Sequence, residues 1–333
     1  MKKLISLIVS LGILALIYWR LSRHGQLDQL LHIFASCDRL WMVISLAMVV
    51  PLTLFTSRRL QQLMPRPGLL GFGEANRLIL VASVLNLVLP SKMGDIAKAY
   101  FMRDRGHFEG SLALSLVVFE KACDMLSLLL WCVFGLVWCV ADPTIYPAKG
   151  ALFWIMGAGV VGLLAAGLLL LGSEAFAQFF FGLAQRFAPA KLGQKVAKLS
   201  GSWKEMHAYF WSSPGRLARV ASMSIFIWFL HLLQIWMFIL ALRAWVPFLA
   251  NLALSPLGIL AGLLPLTFAG VGTRDAALVL FYAPFFNEPT AAALGILCTA
   301  RYVLPALGGM PFASRYLQAL KGRSKEELAS QQG

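Results

Sequence analysis

Charge is what this sequence has least of. Only 13% of its 333 residues are charged and just 15 are acidic, where a soluble domain carries roughly 25% charged residues. That scarcity, beside so much apolar sequence, excludes a disordered chain and an ordinary water-soluble enzyme. Cysteine is sparse too, at five residues. Cys123, Cys132, Cys139 and Cys298 lie within apolar runs and Cys37 stands apart. No spacing suits a disulfide framework or a zinc site, so they read as small hydrophobic residues. There is no Asn-x-Ser/Thr sequon, no GxSxG, HExxH or Walker A pattern, and no polar stretch large enough for a catalytic domain. No cofactor and no metal site is expected.

What is abundant is apolar sequence, 59% of residues, with a mean hydropathy of +0.75. The sequence reads as an all-α polytopic membrane protein. Spanning runs need roughly 20 apolar residues, and they fall at about 4–19, 40–57, 111–140, 151–171, 220–242 and 290–312, six in all. The first follows Lys2 and Lys3 like a signal peptide, but Tyr18-Trp19-Arg20 stands where a small-residue cleavage site belongs, so it reads as a retained anchor.

Two further apolar stretches are interrupted. One, at about 77–102, is broken by Leu89-Pro90-Ser91-Lys92-Met93-Gly94-Asp95; the other, at about 250–286, by the segment from Pro265 through Gly270 and Gly272 to Arg274-Asp275. A Pro/Gly break carrying ions is costly in lipid unless it is buried in protein or lines a wet cavity. Both stretches read as re-entrant helical hairpins.

Loop charges fit this layout. Basic residues collect at Arg58, Arg59 and Arg66, at Arg103 and Arg105, across 173–219, and at Arg315, Lys321, Arg323 and Lys325. Under the positive-inside rule these mark the cytoplasmic face of a bacterial inner membrane, with both termini inside. Arg20, Arg23 and Arg39 are the exception. The hairpins then enter from opposite faces, each followed by a full span, which makes an inverted-topology repeat. Asp95 and Lys121 are as far apart in sequence as Asp275 and Arg301, so each hairpin carboxylate is expected to meet a cation in the next span. Residues 1–315 form one membrane domain. Its 173–219 segment, basic and aromatic, is expected as helices lying on the inner face. Residues 316–333 read as a polar cytoplasmic tail, frayed from Ser324.

The net charge of +14 points to anionic lipid rather than nucleic acid. The sharper signal is the set of intramembrane ions: Lys92, Asp95, Glu120, Lys121, Asp124, Arg274, Asp275 and Arg301. Four are cations and four anions, so they can neutralise one another as buried charges must. They line a lipid head-group pathway or they pin the hairpins. The breaks at Pro90, Gly94, Pro265, Gly270 and Gly272 make turns, and the helix starting after Gly94 or Gly272 could hold an anion at its positive end. Gly157-x-Gly159-x-x-Gly162 lies inside a span with no strand before it, so it reads as close helix packing rather than a dinucleotide loop.

Asn86-Leu87-Val88-Leu89-Pro90-Ser91-Lys92-Met93-Gly94-Asp95 followed by Glu120–Asp124, and Ala269-Gly270-Val271-Gly272-Thr273-Arg274-Asp275 followed by Arg301, resemble the membrane domain of lysylphosphatidylglycerol synthases. That domain also occurs alone in flippase-like membrane proteins. The resemblance covers about 5–315 and implies re-entrant hairpins in inverted halves and movement of a phospholipid between leaflets. This chain has Lys92 where the family usually has Arg, Asp95 and Asp275 where it has Glu, and Ala269 for the first glycine of Gly-Gly-x-Gly. It is expected to stand alone, without the aminoacyltransferase domain. The expected function is a lipid flippase or transporter, passive or ion-coupled, with membrane lipids as partners. The alternative is a non-transporting accessory for a separate lipid- or glycan-modifying enzyme. An integral-membrane transferase is a third reading.

Overall fold

The computed structural model describes residues 27–64, 69–88, 94–104, 110–144, 150–187, 189–263 and 272–330. Every regular element among them is helical: α1 (Leu27–Ala35), α2 (Arg39–Ala47), α3 (Val49–Leu63), α4 (Phe72–Val88), α5 (Gly94–Asp104), α6 (Gly110–Ala141), α7 (Ala151–Gly172), α8 (Glu174–Phe187), α9 (Ala190–Trp211), α10 (Pro214–Ala241), α11 (Phe248–Leu263), α12 (Thr273–Tyr282) and α13 (Glu288–Ser330). Five helical stretches are long and apolar enough to cross a membrane: Arg39–Leu63, Leu112–Ala141, Phe153–Gly172, Pro214–Ala241 and Glu288–Ala313. They coincide with five of the six expected spans. The sixth, 4–19, lies outside the described residues, as do Pro90, Lys92, Pro265 and Gly270. The break between α2 and α3 follows from Pro51, which has no N–H to return to the preceding turn.

Polar contacts along the helices give their directions. Asp38 N–H donates to Ala241 O at 2.8 Å, Gln234 Nε2 to Ser45 O at 2.9 Å and Arg59 Nη1 to Ser224 Oγ at 3.0 Å, so α2–α3 and α10 run in opposite directions. The Ser57 hydroxyl donates to Asn76 and the Gln61 amide to Leu70 O, which makes α4 antiparallel to α3. On α13, Gly309 lies against Leu80 and the Phe312 ring beneath Arg77, so α13 is antiparallel to α4. Near α6, Arg59 Nη1 bridges Asp124 to Ser224 of α10, and Trp131 further along meets Ile225 and Phe229, so α6 runs with α10 and against α3. The chain therefore leaves α3 and enters α6 at the same end of the bundle, with α4 and α5 folded between. It likewise leaves α10 and enters α13 at the opposite end, with α11 and α12 folded between. In that second hairpin Gly262 faces Arg274 and Gly258 faces Leu278, an antiparallel register.

Each hairpin has its own core. Leu78, Val81, Leu85, Phe101 and Met102 pack with Phe119 and Phe210 around the first. Leu254, Leu257, Leu278 and Tyr282 pack with Ile235 and Leu297 around the second. The halves then interlock: α4 packs on α13, and α11 on α6. Both crossings use a glycine. A Cβ on Gly309 would sit 2.3 Å from Leu80 O, and one on Gly135 would sit 2.1 Å from Ala253 O. Because the obstacle is backbone, Gly135→Ala and Gly309→Ala are each expected to lower stability by about 1–3 kcal/mol. Gly159→Ala is expected to be harmless in the same thermal-unfolding measurement, since nothing lies within 4 Å of its Cβ position.

That last observation corrects an expectation. Among the described residues Gly159 and Gly162 have no neighbour within 4 Å of their Cβ positions, and Gly157 only reaches Leu136 at 3.9 Å; α7 sits at the edge of the bundle. Two further differences concern the basic segment and the tail. The 173–219 segment is helical, but α9 is more than a surface helix. Trp203, Met206 and Phe210 are buried, and the Phe210 ring stacks on Phe119 at 4.2 Å. The expected frayed tail instead continues α13 to Ser330, in a sequence rich in the helix-forming residues Ala, Leu, Lys and Glu.

Candidate functional site

Six ionic side chains meet where α3, α5 and α6 converge. Arg59 Nη2 donates to Glu120 Oε1 at 2.9 Å and to Asp124 Oδ2 at 3.1 Å, Nη1 also binds Asp124, and the same Nη1 reaches Ser224 Oγ on α10. Lys98 Nζ donates to the other oxygen of Glu120 and lies 3.8 Å from Asp95. Lys121 lies 3.2 Å from Asp95 and 3.5 Å from Asp124. Three cations thus balance three carboxylates. Arg59, Lys98 and Glu120 are almost wholly buried, while Lys121 is 46% exposed at the rim. Helix geometry sets this up, because Glu120 and Asp124 are i and i+4, and Asp95 and Lys98 are i and i+3.

Arg59 and Lys98 were missing from the candidate residues. Arg59 stands beside Arg58 at the end of a span and reads as a loop charge. The available signal was its place on the buried stripe of α3 with Leu52, Leu60 and Leu63.

The second hairpin is fastened differently. Arg274 Nε and Nη2 both donate to Asp275 Oδ1, at 3.0 and 2.6 Å. Its guanidinium also reaches Gly295 O, Cys298 O and Thr299 Oγ1, tying α12 to α13. The other oxygen of Asp275 accepts the Gly272 N–H at 3.0 Å. Gly272 has φ 99°, a conformation suited to glycine. The anion expected at this helix start is therefore the chain's own carboxylate. At the first hairpin, a Cβ on Gly94 would meet Ala82 O at 2.3 Å and Asn86 Oδ1 at 2.8 Å, so this glycine lets α5 close on α4.

Asp275 engages Arg274, not Arg301 as the spacing predicted. Arg301 is 4% exposed. Its Nη2 donates to Tyr302 Oη at 2.9 Å and its guanidinium lies 4.9 Å from the centre of that ring. Nε and Nη1 have no hydrogen-bond partner among the described residues. Pro305, one turn on, has no N–H to offer the Arg301 carbonyl. The α4–α13 register, Leu80 to Gly309, brings the end of α4 level with Arg301 two turns along. Arg274, at the start of α12, reaches Thr299 on the neighbouring turn. Arg301 thus lies level with the end of α4 and within a turn of the residue that the start of α12 reaches.

A bundle of apolar helices with buried ion clusters defines a multi-pass membrane protein. The chain belongs to the family described as the lysylphosphatidylglycerol synthase TM region, which its sequence matches over residues 4–309. It is similar to a UPF0104 membrane protein of Methanocaldococcus jannaschii, 23% identical over 312 residues that cover 89% of this chain and 92% of that protein.

Proposed function

We propose that this protein moves a polar-headed lipid, anionic or zwitterionic, between the leaflets of a bacterial inner membrane, by passive or ion-coupled transport. The hairpins re-enter the bilayer from opposite faces, and both termini are cytoplasmic. The acyl chains stay in lipid while the head group passes between the hairpin ends. The observation that carries this reading is Arg301: a buried guanidinium with two nitrogens unpartnered among the described residues, level with the end of α4 and within a turn of Thr299, which the start of α12 reaches. A buried donor without an acceptor costs about 1–3 kcal/mol, and a passing phosphate supplies that acceptor through charge-assisted hydrogen bonds. Asp95, Glu120, Lys121, Asp124, Arg274 and Asp275 already have ionic partners, so they hold the hairpins in place and, where reached by water, carry a coupling proton.

The test is head-group translocation in proteoliposomes, using labelled anionic, zwitterionic and polyprenyl-phosphate lipids with and without a proton gradient. Arg301→Ala is expected to slow movement about 10–100-fold, the loss that charge-assisted hydrogen bonds of about 1.5–3 kcal/mol imply. Full retention would reduce Arg301 to a strut. A second reading, an accessory to a lipid- or glycan-modifying enzyme, is favoured by the exposed aromatic side chains of α8, Phe179, Phe180 and Phe187. Folded protein that moves none of these lipids would favour it.

A further inference from the structure

A cavity of about 310 Å³ opens between the end of α3, the approach to α4, the end of α9 and the start of α10, lined by Arg58, Gln61, Met64, Tyr209, Arg216 and Arg219 among others. Its volume is at the lower end of small-ligand pockets, about 300–1,000 Å³. The cavity lies on the same end of the bundle as Arg59 and is separate from the Arg301 region.

Its walls are fixed before any ligand arrives. Tyr209 Oη donates to Met64 O at 3.0 Å, joining α9 to the end of α3. Arg216 lies over the Tyr209 ring, 3.9 Å from its centre, and its Nη1 donates to Tyr209 O at 2.9 Å. Arg58 Nη1 donates to Gln61 Oε1, and the Gln61 amide is held in turn by Leu70 O at 2.8 Å. Arg219 is anchored through Nε to Gly215 O. Each guanidinium thus keeps donors to spare. Among the described residues none of the three arginines has a carboxylate within salt-bridge distance. The contrast with the Arg59 cluster a turn away, where every cation has its carboxylate, is the telling one. The positive end of the α10 dipole adds to the same field.

We infer that this cavity binds a phosphate monoester. Three guanidinium groups with no carboxylate partner among the described residues favour a multiply charged anion, and a phosphate monoester carries about −1.5 to −2 near neutral pH. Arginine's planar fork suits its oxygens. Prior fixing of Arg216 and Arg58 lowers the ordering cost of binding. The monoester is borne either by a lipid or by a water-soluble molecule, and the site does not depend on whether the protein moves lipid.

Isothermal titration of the detergent-purified full chain would use three probes: dihexanoyl phosphatidic acid, glycerol 3-phosphate and, as a diester with one charge, dihexanoyl phosphatidylglycerol. Saturable binding of phosphatidic acid is expected, weakened at least 10-fold in the Arg58→Gln/Arg216→Gln/Arg219→Gln triple variant and unchanged in Arg39→Gln, which removes an exposed cation at the opposite end of the bundle. These three side chains lie at the cavity rather than in the core, and a matching thermal-unfolding curve checks that the triple variant folds. Glycerol 3-phosphate binding as tightly as phosphatidic acid assigns the site to a soluble ligand; much weaker binding assigns it to a lipid. A triple variant that binds like the wild type, or a diester that binds as tightly as the monoester, overturns the inference. Equal loss of binding in Arg39→Gln would make net charge, not this cavity, the cause, and would overturn it too.

Discussion

Arg301→Met is expected to yield a protein at least as stable as the wild type yet about 10–100-fold slower at moving lipid, whereas Arg274→Met is expected to cost about 3–5 kcal/mol of stability. Both arginines are 4% exposed, and burial alone would rank them equal. Their partners separate them. Arg274 satisfies Asp275 and three acceptors on α13, so its removal leaves a buried carboxylate whose remaining donor among the described residues is the Gly272 N–H. Arg301 offers Nε and Nη1 to nothing among the described residues and keeps only Tyr302. Methionine fills a comparable volume and removes orphaned donors worth about 1–3 kcal/mol each, against a modest loss of cation–π attraction. Thermal unfolding in one detergent and translocation in proteoliposomes, measured on the same preparations, separate the two residues. Equal destabilisation by both substitutions would make Arg301 a strut of the same kind as Arg274 and remove the main support for the transport reading.

The architecture was largely legible because the bilayer constrains it so strongly. Run lengths located the five described spans. The breaks at Gly94 and Gly272 fell where the helices do turn back. The wiring between halves was not legible. Asp95 does meet Lys121, but Asp275 stays with its neighbour Arg274. Equal spacing cannot register which residue occupies the adjacent position: in the second hairpin that residue is an arginine long enough to fold back on Asp275 while reaching Gly295 and Thr299. Lys98 was lost because a cation four residues past a break looks like the start of a loop, and Arg59 because its burial is created by carboxylates sixty-odd residues away on α6. The interlocking of α4 with α13 and of α11 with α6 rests on single glycines, Gly309 and Gly135, whose neighbours no local pattern identifies.

Glu120→Gln is expected to destabilise the protein by about 3–5 kcal/mol, the cost of breaking a buried ion pair from one side. Glu120 is the node of the first cluster, with one oxygen on Arg59 and the other on Lys98, and both cations are almost fully buried. Glutamine keeps the shape but leaves three cations facing two carboxylates, and it turns an amide N–H group toward one of them. Lys121→Met provides the contrast. Lys121 is 46% exposed, and both its partners retain another cation, Lys98 for Asp95 and Arg59 for Asp124, so the change is expected to cost under about 1 kcal/mol. Charge balance, rather than any single contact, is the cause at issue, and a second substitution isolates it. Adding Lys98→Met to Glu120→Gln restores equal numbers of cations and carboxylates, and the double variant is expected to recover stability relative to Glu120→Gln, with a coupling of about 0.5–3 kcal/mol. Additive losses in thermal unfolding would mean that the cluster is held by shape and hydrogen bonds alone. Recovery would mean that neutrality is what allows α3, α5, α6 and α10 to meet inside an apolar bundle.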